Sequence, residues 1–458
     1  MDRLTPLFRP KVVAVVGASD DEDKYGHKVF RNIMDGGFQG HLYPVNPNAA
    51  TVLGRTAYAS LSAVPERIDV AFIVIPARLV VGAVREAVEA GVRSLVIITA
   101  GFSETGEEGR EAESEIRSLC ERAGIPAVGP NCMGICSFPV HLAGTMESLR
   151  SDPGTISFIS QSGTYGITTL NYGVRTGLGF NIFVSSGNEA VTRFSDYLEY
   201  LGNDPATHVI MGYIESLRDG EKFVRVAREV TMKKPVVVMK FGRTQKGSLA
   251  ASSHTGALAG SHAVYSSVFR QTGVVEVTRT QDLLNVAMAF SMQPPLRGPR
   301  IALVGASGGF AVAVTDYLEE HGLEVPSFSV ELQQRIRNEA GTMPYASVRN
   351  PIDLAADLRP EPLLKCAEIV LQQDFIDGLI VALPSRPYPP AEESIRTLER
   401  LHLSSHKPVL ICYYARPEGV GVIQRMTSRI PVYGNPEAVG QVMSALHQYG
   451  EYLRRNTG

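Results

Sequence analysis

The feature that most constrains the fold is a repeated one: a continuous apolar run, then a turn of glycine and hydroxyl residues, then a segment of helical period. Lys11 to Val16 empties into Gly17-Ala18-Ser19-Asp20 and a helical stretch near 26–34. Thr155 to Ile159 empties into Ser160-Gln161-Ser162-Gly163-Thr164, and Arg300 to Val304 into Gly305-Ala306-Ser307-Gly308-Gly309. Runs without polar alternation fit strands buried on both faces, and parallel strands need a crossover that is usually a helix. Similar runs predict strands at 41–45, 68–75, 93–99 and 125–128, then at 180–184, 208–214 and 235–240, then at 377–383, 408–413 and 430–433. The expected fold class is α/β, in three doubly wound units over 1–145, 146–295 and 298–458. A length of 458 residues leaves room for three domains. Proline and glycine near 152–154 and 294–299 mark the joints.

In open α/β sheets, ligands bind beyond the carboxyl ends of the strands. A dinucleotide site fails in the first unit on two counts. Its first loop has glycines only at Gly17 and Gly26 rather than G-x-G-x-x-G, and the second strand ends in Asn46-Pro47 where a ribose-binding acid is wanted. The amides of Gly17 to Ser19 can still hold a phosphate at a helix N-terminus. The second unit offers two Gly/Ser turns, 160–164 and 185–189, and Glu215 at the end of the run 208–214. Ser162 is a candidate helix cap there, and Gly163 permits close approach. After the run 235–240 comes Ser252-Ser253-His254-Thr255-Gly256-Ala257-Leu258-Ala259-Gly260. A histidine among small residues suits a loop that enters narrow sites; a plain surface histidine in a Gly/Ser loop is the bland alternative. Two turns, an acid and a histidine loop on successive strand ends favour an oxyanion-handling site.

Other classes recede. A net charge of −3 argues against nucleic acid. No apolar run reaches membrane-spanning length, and MDRLTPLFRP is no secretory signal. Five cysteines without a CxxC pair give no disulfide or zinc framework, so no metal is expected and a cytoplasmic location is. The nearest approach to a nucleotide-binding P-loop, Gly242 to Ser248, has the wrong order.

The motifs resemble a known family. Val-Val-Gly-Ala-Ser at 15–19, Gly26-His27-Lys28-Val29, Tyr43-Pro44-Val45-Asn46-Pro47 and Gly129-Pro130-Asn131-Cys132-Met133-Gly134 look like the CoA-binding domain of NDP-forming acyl-CoA synthetases. Ser253 to Ser261 resembles the phosphohistidine loop of ADP-forming acetyl-CoA synthetases, Gly212-Tyr213-Ile214-Glu215 the segment whose glutamate pairs with that histidine, and Ser160 to Gly163 the phosphate-binding helix start. Asn350 to Leu354 extends the likeness into the third unit.

The resemblance implies a Rossmann-like CoA-binding domain followed by two flavodoxin-like domains of the succinyl-CoA-synthetase type. It implies CoA contacts at Gly17, Ala18, Ser19, Val45, Asn46, Pro47, Pro76, Thr99 and Gly101. Ser162 and Gly163 would hold phosphate, and His254 would carry the phosphoryl group with Glu215 as its partner. Glu189 competes for that role, unless it is simply an acid in a helix's first turn. ATP or ADP with Mg would bind a separate ATP-grasp β subunit, in a heterotetramer by the family norm. Acyl-CoA, phosphate and a carboxylic acid would be the substrates. Tyr165 stands where the family pattern has a small apolar residue, so acetate is only the leading acid. The rival readings are a non-catalytic CoA-binding regulator of the same fold and, more distantly, a dehydrogenase.

Overall fold

The continuous apolar runs are buried parallel strands, as two-faced burial requires. The computed structural model describes residues 2–248, 261–357, 359–383, 391–413 and 417–457. The chain divides into two units, Met1–Val277 and Thr278–Gly458.

The first unit opens with β1 (Val12–Val16), β2 (His41–Val45), a short hairpin of β3 (Thr51–Val52) and β4 (Arg55–Thr56), then β5 (Val70–Ile73), β6 (Leu95–Ile97) and β7 (Ala127–Val128). The order is β2-β1-β5-β6-β7, with every pair parallel. Chain direction across the sheet therefore reverses at β1, which opens a crevice between the loops after β1 and β5. The intervening helices are amphipathic. In Ala77–Glu89 the buried residues are Val80, Ala83, Val84 and Ala87, a single stripe. Glu107–Ala123 stops at Gly124, whose left-handed φ of 67° suits a residue without Cβ.

The second sheet comprises β8 (Gly134–Ser137), β9 (Leu142–Thr145), β10 (Pro153–Ser160), β11 (Phe180–Ser185), β12 (Val209–Ile214), β13 (Val236–Lys240) and β14 (Val275–Val277). Its order is β14-β13-β12-β10-β11-β8-β9. The β8–β9 hairpin, which no apolar run announces, pairs antiparallel with β11. The two sheets share one core, in which Phe72 of the first lies in the same apolar cluster as Ile159 and Val184 of the second. All residues of β11, β12 and β13 are buried. The consequence for function is that β11, β10, β12 and β13 stand side by side, so their carboxyl ends form one rim.

The second unit has its own sheet: β15 (Ile301–Gly305), β16 (Ser347–Val348), β17 (Ile352–Asp353), β18 (Gly378–Ala382), β19 (Val409–Cys412) and β20 (Val432–Tyr433), ordered β16-β17-β15-β18-β19-β20. β16 runs antiparallel to β17. The glycine and serine turn 305–309 faces an acid: a Cβ on Gly308 would stand 2.8 Å from Asp353 Oδ2. The helix N-terminus thus meets a carboxylate of its own chain. Among the described residues, no helix is long and apolar enough to cross a membrane.

Candidate active site

A cavity of about 840 Å³ opens at the crevice of the first sheet and continues onto the rim of the second. Its wall takes Gly17 from the loop after β1, Val74 to Ala77 after β5, Ile98 to Ala100 after β6, Asn131 to Met133 after β7, and Gln161 to Thr164 after β10. Gly187 and Asn188, after β11, Asp23 to Gly26 and Met146 complete it. Of the residues expected to face ligand, Gly17, Pro76, Thr99, Ser162 and Gly163 are therefore brought together. Ala18, Ser19, Val45, Asn46, Pro47 and Gly101 lie outside this lining.

Several of the latter have local work. Ala18 and Val45 are buried, Gly17 N–H donates to Val45 O at 2.9 Å, and Asn46 Nδ2 donates to Ala18 O at 2.8 Å. Asn46 thus braces the first loop from behind. Gly101 N–H donates to Glu104 Oε1 at 2.6 Å. The helix expected near 26–34 spans Tyr25–Asp35, so the N-terminal backbone that lines the cavity is Asp23 to Gly26 rather than Gly17 to Ser19, of which Gly17 alone lines it. Gly17 has a φ of +92°, and a Cβ on Gly26 would collide with Gly17 O. Two glycines are needed because two backbones touch there.

The first and second sheets are locked together beside the cavity. Asn188 N–H donates to Pro130 O, Ala190 N–H to Gly129 O, and Gly129 N–H to Ser186 O, at 2.9, 3.1 and 3.2 Å. Side chains repeat the lock. Asn188 Nδ2 donates to Glu104 Oε2 at 2.7 Å and Glu113 Oε2 at 2.9 Å, while Asn188 Oδ1 accepts from Asn131 Nδ2 at 3.2 Å. Burial opposes ionisation of Glu104, yet the hydrogen bonds from Gly101, Asn188 and Phe102 outweigh it and hold its pKa below the usual carboxylate value.

Both candidate histidine partners are buried on the rim, Glu189 3% and Glu215 6% exposed. Glu189 is not in a helix's first turn, since the next helix starts at Phe194. It sits in the connecting loop with a φ of +55°, its carboxyl buried. There Oε1 accepts from Ser186 Oγ at 2.8 Å and from Gln161 Nε2 at 3.0 Å. Burial nevertheless raises its pKa to about 7, against those hydrogen bonds. Glu215 Oε1 accepts from Tyr213 OH at 3.2 Å. The residue that sequence reasoning left out of the site is Gln161, whose Oε1 accepts from Glu215 N–H at 2.6 Å and Ser216 N–H at 3.0 Å. Its place inside Ser-Gln-Ser-Gly was the only signal. The sequence suggests Ser162 as a side-chain cap, but it makes no cap bond, and Ser160 Oγ instead donates to Ser162 O at 2.6 Å. That leaves the start of the helix Gly163–Arg175 without a side-chain cap where Gly163 and Thr164 line the cavity, and a helix N-terminus of this kind suits an anion.

His254, with the rest of 249–260, lies outside the described residues. Its flanks are defined. Lys240 ends β13 wholly buried; its ammonium donates to Phe241 O and lies 4.6 Å from the centroid of the Tyr265 ring. Burial lowers its pKa, against the pull of Glu215 and Glu276. Beyond the loop, His262 Nε2 meets Glu276 Oε1 at 2.9 Å in the first turn of the helix His262–Gln271. Tyr165 packs with Tyr213 and Phe241, at ring separations of 4.7 and 5.2 Å, and is absent from the cavity lining.

Residues 11–137 match the family model described as a CoA binding domain, and residues 153–290 match the succinyl-CoA ligase like flavodoxin domain. The chain is 36% identical over 452 residues to the alpha subunit of acetate–CoA ligase (ADP-forming) II of Pyrococcus furiosus, covering 96% of this chain and 97% of that protein. It is 32% identical to the isoform I alpha subunit of the same organism, with 99% of each covered. A solved structure from Ca. Korarchaeum cryptofilum, described as a dinucleotide forming acetyl-coenzyme A synthetase 1 in complex with phosphate and ADP, superposes with a TM-score of 0.91 at 33% identity, covering 100% of both chains. End-to-end likeness at these identities, on the fold and cavity just described, means that the chain belongs to the ADP-forming acyl-CoA ligases, among their alpha subunits.

Proposed function

We propose that this chain is the CoA-binding, phosphoryl-carrying half of an ADP-forming acyl-CoA ligase, with acetate as the first acid to test and a separate nucleotide-binding subunit as its partner. The observation that carries the reading is the continuity of one cavity from the CoA-type crevice at Gly17, Pro76 and Thr99 to the anion-type turn at Ser162 and Gly163. A thioester held in the first part would meet phosphate held in the second. Phosphate oxygen attacks the acyl carbon and the C–S bond breaks. The proton that leaves phosphate goes to the CoA sulfur, giving acyl phosphate and CoA. His254 then attacks phosphorus and the acid departs as a carboxylate. The loop carries the phosphoryl group to ADP on the partner, where Mg would be bound. Catalysis of this kind rests on position and charge, which the amides at Gly163 and a carboxylate fixing the imidazole tautomer supply. Glu215 is the preferred carboxylate, because its strand end neighbours Lys240, where the histidine segment leaves the sheet.

The test is self-labelling. The chain incubated with acetyl-CoA and radiolabelled phosphate should acquire an acid-labile, base-stable label without any nucleotide, and His254→Ala should abolish it. A label that survives His254→Ala, or that needs a nucleotide, would overturn the reading. A non-catalytic regulator would bind CoA and never label.

A further inference from the structure

From the geometry around Gln161 we infer that its carboxamide is a positioning residue for phosphoryl transfer, holding the Glu215 strand end and the buried Glu189 carboxyl in one fixed register. The inference rests on the reading above for its catalytic consequence, but not for its structural content.

Every hydrogen-bonding position of this side chain is used. Oε1 accepts from Glu215 N–H and Ser216 N–H, at 2.6 and 3.0 Å. Nε2 donates to Ser216 O at 2.7 Å and to Glu189 Oε1 at 3.0 Å. Two acceptor sites and two donors are all a carboxamide has, so the arrangement fixes which end is oxygen. The main chain is held as well, with Gln161 N–H donating to Tyr213 O at 3.2 Å. Gln161 lies in the cavity wall directly before Ser162 and Gly163. It therefore stands just past the central strand of three, β11-β10-β12, and ties the anion turn to the Glu215 main chain after one neighbour and to the Glu189 carboxyl after the other.

Glu189 gives the tie its chemical content. Its φ of +55° is uncommon for a residue with a side chain, and such strain persists where the surroundings hold it. The groups facing its carboxyl are Ser186 Oγ, Gln161 Nε2, the Phe194 backbone, the Tyr197 hydroxyl and the more distant charge of Asp219. Gln161 and Ser186 are the side-chain donors among them that stabilise the ionised form. A change in the charge at Glu189 is thus felt by the amide that also holds Glu215 N–H. An apolar residue at 161 would free the Glu215 main chain and remove one of the two side-chain donors to Glu189.

Gln161→Met keeps the length of the side chain and removes all four bonds. It should lower the rate of self-labelling by roughly a hundredfold, the scale of a small misplacement of reacting groups, while calorimetric CoA affinity stays within about twofold of wild type. Gln161→Glu serves if the methionine variant fails to fold. Protonated, its carboxyl keeps the acceptor and one of the two donors; ionised, it keeps no donor, so its labelling rate relative to wild type should rise at least tenfold between pH 8 and pH 6. Wild-type labelling by Gln161→Met, or a flat ratio for Gln161→Glu, overturns the inference. Infrared titration of the protonated carboxyl band, assigned by its loss in Glu189→Gln, gives a readout free of turnover. The band should titrate at higher pH in Gln161→Met than in wild type, and an unmoved titration overturns the tie. If wild type never labels, the proposed function fails, and the infrared result still decides the register.

Discussion

A buried carboxyl whose pKa is raised to about 7 leaves a mark on stability as well as on chemistry. For Glu189 the folded value stands above the unfolded one, so the folded state binds its proton more tightly. The stability this contributes is complete below the ordinary carboxylate pKa and is lost as pH rises through about 7. A shift of this size corresponds to roughly 3 kcal/mol. Glu189→Gln, which keeps an oxygen to accept from Gln161 and Ser186, should raise the melting temperature at pH 8 and leave it nearly unchanged at pH 5. An equal change at both pH values would show that the carboxyl is not neutralised by folding. The same variant separates the two acids in function. Glu215→Gln should bind CoA normally and lose most phosphohistidine, whereas retention of label there with loss in Glu189→Gln would transfer the histidine-partner role to Glu189.

At the scale of elements, the site is made by loops that touch backbone to backbone. Gly187, at a φ of +61°, lies so close to Pro130 and Asn131 that a Cβ would collide with their carbonyl oxygens. Gly26 stands in the same relation to Gly17. Gly187→Ala and Gly26→Ala should each cost about 1–3 kcal/mol, the usual penalty for forcing extra volume into a packed position, read as a lower denaturant midpoint. Gly26→Ala should also weaken CoA binding in calorimetry, since it displaces the loop that lines the crevice. In wild type, CoA should bind and NAD should not; equal affinity for the two would remove the assignment of the first loop.

For the whole molecule, the apolar cluster that unites the first two sheets runs from Leu4 to Val274, which makes Met1–Val277 a self-contained carrier of the cavity. A fragment ending at Val277 should therefore melt cooperatively and bind CoA with the affinity of the full chain. Non-cooperative melting of that fragment would place part of its stabilising core elsewhere. In the full chain, ADP alone should not discharge the label, while ADP with the nucleotide-binding partner should. Discharge by ADP alone would mean that this chain holds a nucleotide site which its sequence does not announce.

Strand identity was legible in the sequence because burial on both faces demands uninterrupted apolar residues, as in the runs that became β1, β11, β12 and β13. The turns at Gly17 and Ser160 to Gly163 were legible because close backbone approach selects glycine and serine. The absence of a dinucleotide fingerprint could likewise be read directly, since each glycine of that motif has a local task. The β8–β9 hairpin was not legible, because it is short and draws its pairing from β11, a partner far along the chain. Nor was the true setting of Glu189, a buried loop residue of positive φ whose neighbours Asn188 and Ala190 bond the loop after β7. Gln161 shows the limit most clearly. A glutamine between two serines has no fixed chemistry of its own. Only the side-by-side order of β11, β10 and β12 brings Glu189 and the Glu215 amide within reach of its two ends. Local sequence determines which residues are buried and where the chain turns; which strand ends become neighbours is decided by sheet order, through hydrogen bonds between segments tens of residues apart.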